Sequence, residues 1–255
     1  MTTSKSNFEN SWGNLTRAES YAKLEFPNTY YLAYRDLPKI IARHVNGQNA
    51  VDFGCGTGRS TRFLKQLDFN VTGIDISNDM LQIAKKSDKT GDYRLVSNGN
   101  YSHLGNGGFD LVQSIFTFDN IPGWENRTNI LSGLRKLLNA TGKMICLDST
   151  PDLYTNEWAS FSTKEFPENW NAKTGDIVRD IMLDVEDRRP VEDIFWSIPD
   201  YHILFKQSGF KIEETYKPLG SMNEPFNWIS ETQIAPWMIF VLSIDSEPEK
   251  NNSST

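Results

Sequence analysis

Two carboxylates, Asp52 and Asp75, each close an apolar run, and three alternating glycines, Gly54, Gly56 and Gly58, follow the first of them. Glycines between a strand and a helix let a ligand approach the backbone with no Cβ in the way, and the helix behind them offers unpaired N–H groups. The second run, Val71-Thr72-Gly73-Ile74-Asp75, ends on an acid able to accept hydrogen bonds from two ribose hydroxyls. The pair describes a nucleoside site. A dinucleotide fingerprint, Gly-x-Gly-x-x-Gly, needs a third glycine where this chain has Arg59. Asp52, just ahead of the loop, would repel a pyrophosphate but suits a ligand that carries an ammonium group. No Gly-Lys-Ser/Thr follows, which excludes a Walker loop.

Other chemistries find little support. The three histidines, His44, His103 and His202, stand far apart, and no Cys-x-x-Cys or His-x-x-x-His is present, so no metal site is expected. Cys55 lies in the glycine loop and Cys146 in a later apolar strand, so reduced thiols are expected. A net charge of −7 without a Lys/Arg-rich segment argues against a nucleic-acid partner. No apolar run approaches the ~20 residues needed to cross a bilayer. The start, Met1 to Asn7, lacks the apolar core of a signal peptide, so a cytoplasmic location and no membrane partner are expected.

The elements that position the two carboxylates follow from the pattern. The chain has 255 residues, 38% of them hydrophobic and 23% charged, enough for one full α/β core, taken as one domain over residues 1–245. Residues 1–14 are polar and read as mobile. From about Leu15 to Val45 the apolar spacing is helical, interrupted by Pro27 and Pro38, and gives an N-terminal helical cap over residues 15–45. Strands are expected at Ala50–Phe53, Asn70–Ile76, Tyr93–Ser97, Phe109–Phe116 and Gly142–Asp148. Helices are expected at Ser60–Leu67, Ser77–Lys86 and Asn126–Leu138. This alternation implies parallel βαβ units. Residues 150–198 break it, with Trp158, Phe161, Phe166, Trp170, Phe195 and Trp196 among charges and prolines. A helix at Tyr201–Ser208, a strand at Phe210–Tyr216, a long loop and a last strand at Trp237–Ile244 complete the chain. The last strand follows the previous one with no helix between them, which makes it antiparallel. Residues 246–255 are acidic and polar and read as a disordered tail.

These residues resemble the class I S-adenosylmethionine-dependent methyltransferases of the small-molecule type. Val51-Asp52-Phe53-Gly54-Cys55-Gly56-Thr57-Gly58 is similar to the family's first motif, and Gly73-Ile74-Asp75-Ile76-Ser77 with Met80-Leu81 to its second. Asn98-Gly99-Asn100-Tyr101-Ser102-His103-Leu104 resembles the third, with Asn100 where the family usually has Asp. Phe109-Asp110-Leu111-Val112-Gln113-Ser114 and Gly142-Lys143-Met144-Ile145 are similar to its fourth and fifth strands. The likeness spans roughly residues 48–148. It implies a Rossmann-like three-layer α/β sandwich with a seven-stranded sheet in the order 3-2-1-4-5-7-6, strand 7 antiparallel.

The resemblance also assigns roles. The loop of Gly54, Gly56, Thr57 and Gly58 should lie under the amino-acid end of S-adenosylmethionine, with Asp52 orienting that end directly or through water. Asp75 should bind the ribose diol, Ile76 and Met80 should flank adenine, and Asn100, with Tyr101 alongside, should meet the adenine amino group; the alternatives are a carboxylate cap for the helix at Ser77 for Asp75 and an ordinary turn residue for Asn100. Ser114 and Phe116 should line the pocket near the methionine part. Arg35 either binds the cofactor carboxylate from an amphipathic helix over Tyr30–His44 or pairs with Asp36.

Methyl transfer from a sulfonium needs mainly alignment and exclusion of water, and a general base only for a poor nucleophile. Asp119 is the first candidate base, because it follows the fourth strand at its carboxyl end, and His202 is the second. For Asp119 the alternative is a turn cap, for His202 a surface helix residue. The aromatic stretch 150–198, with Trp228 and Trp237, is expected to form the acceptor pocket. The function implied is methylation of a small organic acceptor, yielding S-adenosylhomocysteine. A non-catalytic cofactor-binding subunit that supports a partner enzyme is the alternative.

Overall fold

A computed structural model describes residues 26–97 and 99–246, together with Phe8 and Leu24. The expectations for the N-terminal arm, for the helical stretch before residue 26 and for the tail beyond residue 246 fall outside the described residues. The first helices are α1 (Thr29–Arg35) and α2 (Leu37–His44). The expected continuous helix over Tyr30–His44 is therefore broken at Asp36. Pro38 lacks an N–H, and its ring would clash with the carbonyl four residues back, so it is accommodated only in the first turn of a new helix.

Alternating elements follow: β1 (Asn49–Phe53), α3 (Arg59–Gln66), β2 (Asn70–Asp75), α4 (Asn78–Ser87), β3 (Asp92–Leu95), β4 (Phe109–Ile115), α5 (Trp124–Leu137) and β5 (Leu138–Ser149). β5 starts four residues earlier than expected, at Leu138, because that residue pairs with Phe109 before the register shifts. After an insertion come α6 (Ile198–Gln207), β9 (Phe210–Tyr216) and β10 (Trp237–Ile244). α6 begins at Ile198, ahead of the expected Tyr201. Ser197 caps it by accepting the Asp200 N–H at 3.2 Å, and Pro199 suits its first turn.

The seven strands form one sheet in the order β3-β2-β1-β4-β5-β10-β9. β10 runs antiparallel to both of its neighbours, and the other neighbouring pairs are parallel. This is the expected Rossmann-like order. Successive residues of a strand point to opposite faces, and both faces are covered. Ala50, Leu111, Ile145, Leu147, Ile239 and Val241 pack on one side with α1 and α2. Val51, Phe53, Val112, Met144, Cys146 and Phe240 pack on the other with α5 and α6. Burial on both faces explains why the central strands read as continuous apolar runs. Cys55 and Cys146 are free and buried, and burial pushes both thiols well up, so they stay protonated.

The insertion between β5 and α6 builds a second, three-stranded antiparallel sheet from β6 (Phe161–Ser162), β7 (Ile177–Met182) and β8 (Val191–Ile194). Trp158 anchors it, fully buried, with its Nε1 donating to the Leu153 carbonyl at 2.8 Å. A buried knot joins it to α1. Thr29 N–H donates to Ser160 Oγ, Ser160 N–H donates to Thr29 Oγ1, and Thr29 Oγ1 donates to Glu231 Oε1. Glu231 also accepts the N–H groups of Ala159 and Ile229.

Candidate functional site

The site grows from the turn between β1 and α3. Gly54, Gly56 and Gly58 all adopt positive φ, at 69°, 52° and 82°, a region that side chains with a Cβ avoid. The Gly54 and Cys55 N–H groups both donate to the Ile74 carbonyl, which holds the turn against β2. A Cβ on Gly54 would lie 2.3 Å from the Thr117 side chain, so this glycine is required by the chain segment that follows β4. A Cβ on Gly56 would reach to 3.6 Å from Met80 Cε, partly filling the space between turn and helix that a ligand could use.

Asp75 closes β2 at the same place. Its Oδ2 accepts the Gly56 N–H at 2.8 Å and its Oδ1 accepts the Ser77 N–H at 2.7 Å. Each carboxylate oxygen keeps further accepting capacity, so the group can still receive two hydroxyls. Burial raises the Asp75 carboxyl above its ordinary range, against the pull of the Ser77, Gly56 and Ile76 N–H groups. The carboxylate acceptor and the glycine cradle therefore fit a nucleoside with a free diol.

A cavity of ≈ 590 Å³ runs from this turn to the insertion. Gly54, Gly56, Thr57, Asp75, Ile76 and Met80 line the first end. Four rings, Tyr30, Phe116, Phe161 and Trp237, also line it and pack on one another, with centroids 4.7–5.9 Å apart in the contacting pairs. Phe116 sits at φ 56°, an uncommon conformation for a bulky residue, and strain of this kind clusters at working sites. Asp119 lines the same cavity, with its Oδ2 accepting from Ser149 N and Oγ at 3.1 and 2.8 Å. Burial raises the Asp119 carboxyl despite those bonds.

Several expected site residues lie elsewhere. Asp52 is fully buried off the cavity, where Oδ2 accepts from Ser60 and Thr61 at 2.7 and 2.6 Å. It points to the face that Ala50 occupies and so locks β1 to the first turn of α3 instead of reaching the ligand end. Gly58 caps α3, facing Tyr93. Arg35 is turned away to Asp36 and Glu224, both within 2.8 Å. Asn100 sits in an exposed turn whose own Ser102 donates to its Oδ1. Tyr101 is buried edge-on against Phe53, and Ser114 is wholly enclosed in the sheet. His202 lies exposed on α6 near the ring of Phe240, on the helix side of the sheet. None of these seven lines the cavity.

Of the aromatic residues expected in the acceptor wall, Phe161 and Trp237 line the cavity. Trp158 is core, Trp170 is 70% exposed, Trp196 stacks on Arg127, and Trp228 packs on Phe226. Sequence reasoning passed over Asp180 and Asp193, which also line the cavity. The available signal was Val178-Arg179-Asp180-Ile181-Met182, where strand alternation puts an acid on the apolar face.

Residues 51–146 match the family model of the methyltransferase domain. A demethylmenaquinone methyltransferase of Thermotoga maritima is 30% identical over 109 residues, 42% of this chain and 46% of that protein. A ubiquinone biosynthesis O-methyltransferase of Thiobacillus denitrificans is 28% identical over 106 residues, 38% of this chain and 46% of that protein. The chain spans about half the length of the curated relatives it matches. Among solved structures, the CcbJ methyltransferase from Streptomyces caelestis superposes with a TM-score of 0.65 at 13% identity, covering 93% of this chain and 99% of that one. That likeness is one of fold.

Proposed function

We propose that this chain, whose residues 51–146 match the methyltransferase domain, transfers a methyl group from S-adenosylmethionine to a small organic acceptor. The observation that carries the proposal is the single cavity that joins the glycine turn and Asp75 to a chamber walled by aromatic rings and the insertion. When bound, S-adenosylmethionine supplies an electrophilic methyl on a sulfonium sulfur. In this reading Asp75 holds the ribose, Gly54, Gly56 and Thr57 run beneath the amino-acid end, and Ile76 and Met80 flank the base. Tyr30, Phe116 and Trp237 keep water from the reacting atoms and fix the line of attack. Alignment of this kind is worth ~7–11 kcal/mol. Asp119, held by Ser149, stands where it could take a proton from the acceptor.

The names of the matched relatives, which refer to menaquinone and ubiquinone, support a small organic acceptor and a biosynthetic role. The net charge of −7 supports the same class over nucleic acid. No helix among the described residues is long and apolar enough to cross a membrane, and a cytoplasmic enzyme is part of this proposal. Residues 150–198 supply the acceptor wall within one domain over 1–245. The test is calorimetric titration with S-adenosylhomocysteine and NAD, followed by transfer of a labelled methyl group to a metabolite panel. Binding of the former and not the latter is expected; the opposite preference would end the reading.

A further inference from the structure

The far end of the cavity is acidic. β7 and β8 pair with Asp180 opposite Val191 and Val178 opposite Asp193. Asp180 and Asp193 are therefore diagonal neighbours on one face of the hairpin, the face that also carries Val178, Met182 and Val191. That face is buried, and Asp180, Met182, Val191 and Asp193 line the cavity. A third carboxylate, Asp119, lines it from the turn after β4.

Carboxylates on an apolar buried face are costly unless something compensates them. Asp193 is only 8% exposed, and Tyr154 Oη donates to its Oδ2 at 3.2 Å; its Oδ1 accepts no hydrogen bond among the described residues. Asp119 is 5% exposed, both Ser149 donors go to its Oδ2, and its Oδ1 is likewise unpartnered among the described residues. The buried guanidinium nearby, Arg127, does not neutralise them by direct bonds. Its Nε and Nη2 donate to the carbonyls of Ile121 and Phe118, and it stacks 4.0 Å from the Trp196 ring. Among the described residues, the cationic side chain that lines the cavity is Arg59, on α3 beside the glycine turn, set over the rings of Tyr30 and Tyr34. The rings at the other end, Phe116, Phe161 and Trp237, offer π-faces, which attract cations.

We propose that the acceptor is an amine that enters protonated, with its nitrogen seated between Asp119 and Asp193 and the aromatic rings holding its apolar body. This rests on the methyl-transfer reading above and names the substrate class of that site. One carboxylate takes a proton from the ammonium and frees the nitrogen lone pair. The nitrogen then forms a bond to the methyl carbon as the carbon–sulfur bond breaks, its electron pair leaving with the sulfur. The products are a neutral thioether and an N-methylammonium, whose positive charge is matched by the carboxylate left ionised. Burial and the neighbouring carboxyls of Asp119 and Asp180 push the Asp193 carboxyl well up, and a cation seated beside it favours its ionised form.

The test compares 2-phenylethylamine with its isostere 2-phenylethanol, titrated against the S-adenosylhomocysteine complex and read by calorimetry and ligand-observed NMR. The amine is expected to bind at least tenfold more tightly than the alcohol. Asp193→Asn, and independently Asp119→Asn, should reduce that preference to threefold or less while S-adenosylhomocysteine still binds. A preference below tenfold in the wild-type protein, including binding of neither probe, overturns the proposal. So does a preference that survives both substitutions. Loss of S-adenosylhomocysteine binding to the wild-type protein would instead remove the methyl-transfer reading itself, so the two failures are distinct. The wild-type comparison stands even if one variant does not fold.

Discussion

Asp75 Oδ2 accepts the Gly56 N–H at 2.8 Å, so the carboxylate that ends β2 also fixes the turn that ends β1. Ligand recognition and turn geometry thus depend on one side chain. Asp75→Ala is expected to lower affinity for S-adenosylhomocysteine at least tenfold, about 1.4 kcal/mol. It should also cost about 1–3 kcal/mol of stability, because the Gly56 and Ser77 donors lose their acceptor. Titration calorimetry and urea unfolding measure the two effects. Unchanged affinity would show that the nucleoside does not sit on this carboxylate.

Gly54 is constrained twice, by its φ of 69° and by Thr117. Gly54→Ala should destabilise by about 2–4 kcal/mol, of which the backbone share is roughly 1 kcal/mol. Thr117→Ala removes the two atoms that a Cβ on Gly54 would strike at 2.3 Å, though its own Cβ, at 2.8 Å, remains. The double variant should therefore recover part of the loss, with a coupling energy of about 1 kcal/mol or more. Additive losses in a double-mutant cycle would refute the contact.

What the sequence made legible follows the range of the forces involved. Alternating apolar strands and helices, and the absence of a helix between Tyr216 and Trp237, are local signals, and they lead to parallel βαβ units with the last strand reversed, while the strand order follows from the resemblance to the methyltransferases. The glycine turn is equally local. Asp52 misleads because a strand residue's direction is a matter of parity, and parity sends this one toward Ser60 and Thr61. Arg35 takes the alternative legible in the sequence, pairing with Asp36, and adds Glu224, a partner 189 residues away that no local pattern shows. The acidic wall required knowing that Val178 pairs with Asp193, a register that no short pattern encodes. The aromatic insertion could be recognised as unusual, but which rings fill the core and which face the cavity is settled only by packing.

Asp52 gives a pH signature. Burial raises its carboxyl to about 6, against an ordinary value of 3.8. The folded state then binds the proton more tightly than the unfolded state, so stability is highest below about pH 4 for this group and falls as pH rises to about 6. The loss is about 3 kcal/mol at 1.36 kcal/mol per unit. Asp52→Asn should fold, since its oxygen can still accept from Ser60 and Thr61 and its amide can donate to Gln113 Oε1, which has no partner now. The difference between wild-type and variant unfolding curves should therefore carry the slope between pH 4 and 6. Affinity for S-adenosylhomocysteine should change by less than about threefold, because this side chain lies off the cavity. A difference independent of pH would place an uncharged or solvated carboxyl at this position.

Glu231 should control the wall of the acceptor chamber without touching it. Fully buried, it accepts from Thr29 Oγ1, Ala159 N and Ile229 N, at 2.6, 2.7 and 2.8 Å, and so binds α1, the insertion and the loop before β10 into one unit. Tyr30, next to Thr29, and Phe161, next to Ser160, are chamber rings, so the knot sets their spacing. Hydrogen bonds to a charged group are worth about 1.5–3 kcal/mol each, and three orphaned donors in a dry site are not rehydrated. Glu231→Ala is expected to cost about 3–5 kcal/mol, and Glu231→Gln, which keeps one accepting oxygen, clearly less. Hydrogen exchange should then accelerate at Ala159, Ser160 and Ile229 well before it does in the central strands β1 and β4. Acceptor binding should weaken, while affinity for S-adenosylhomocysteine at the glycine turn stays close to wild type. Equal loss at both ends of the cavity, or exchange that rises uniformly through the sheet, would mean that the knot supports the whole fold and not the chamber wall.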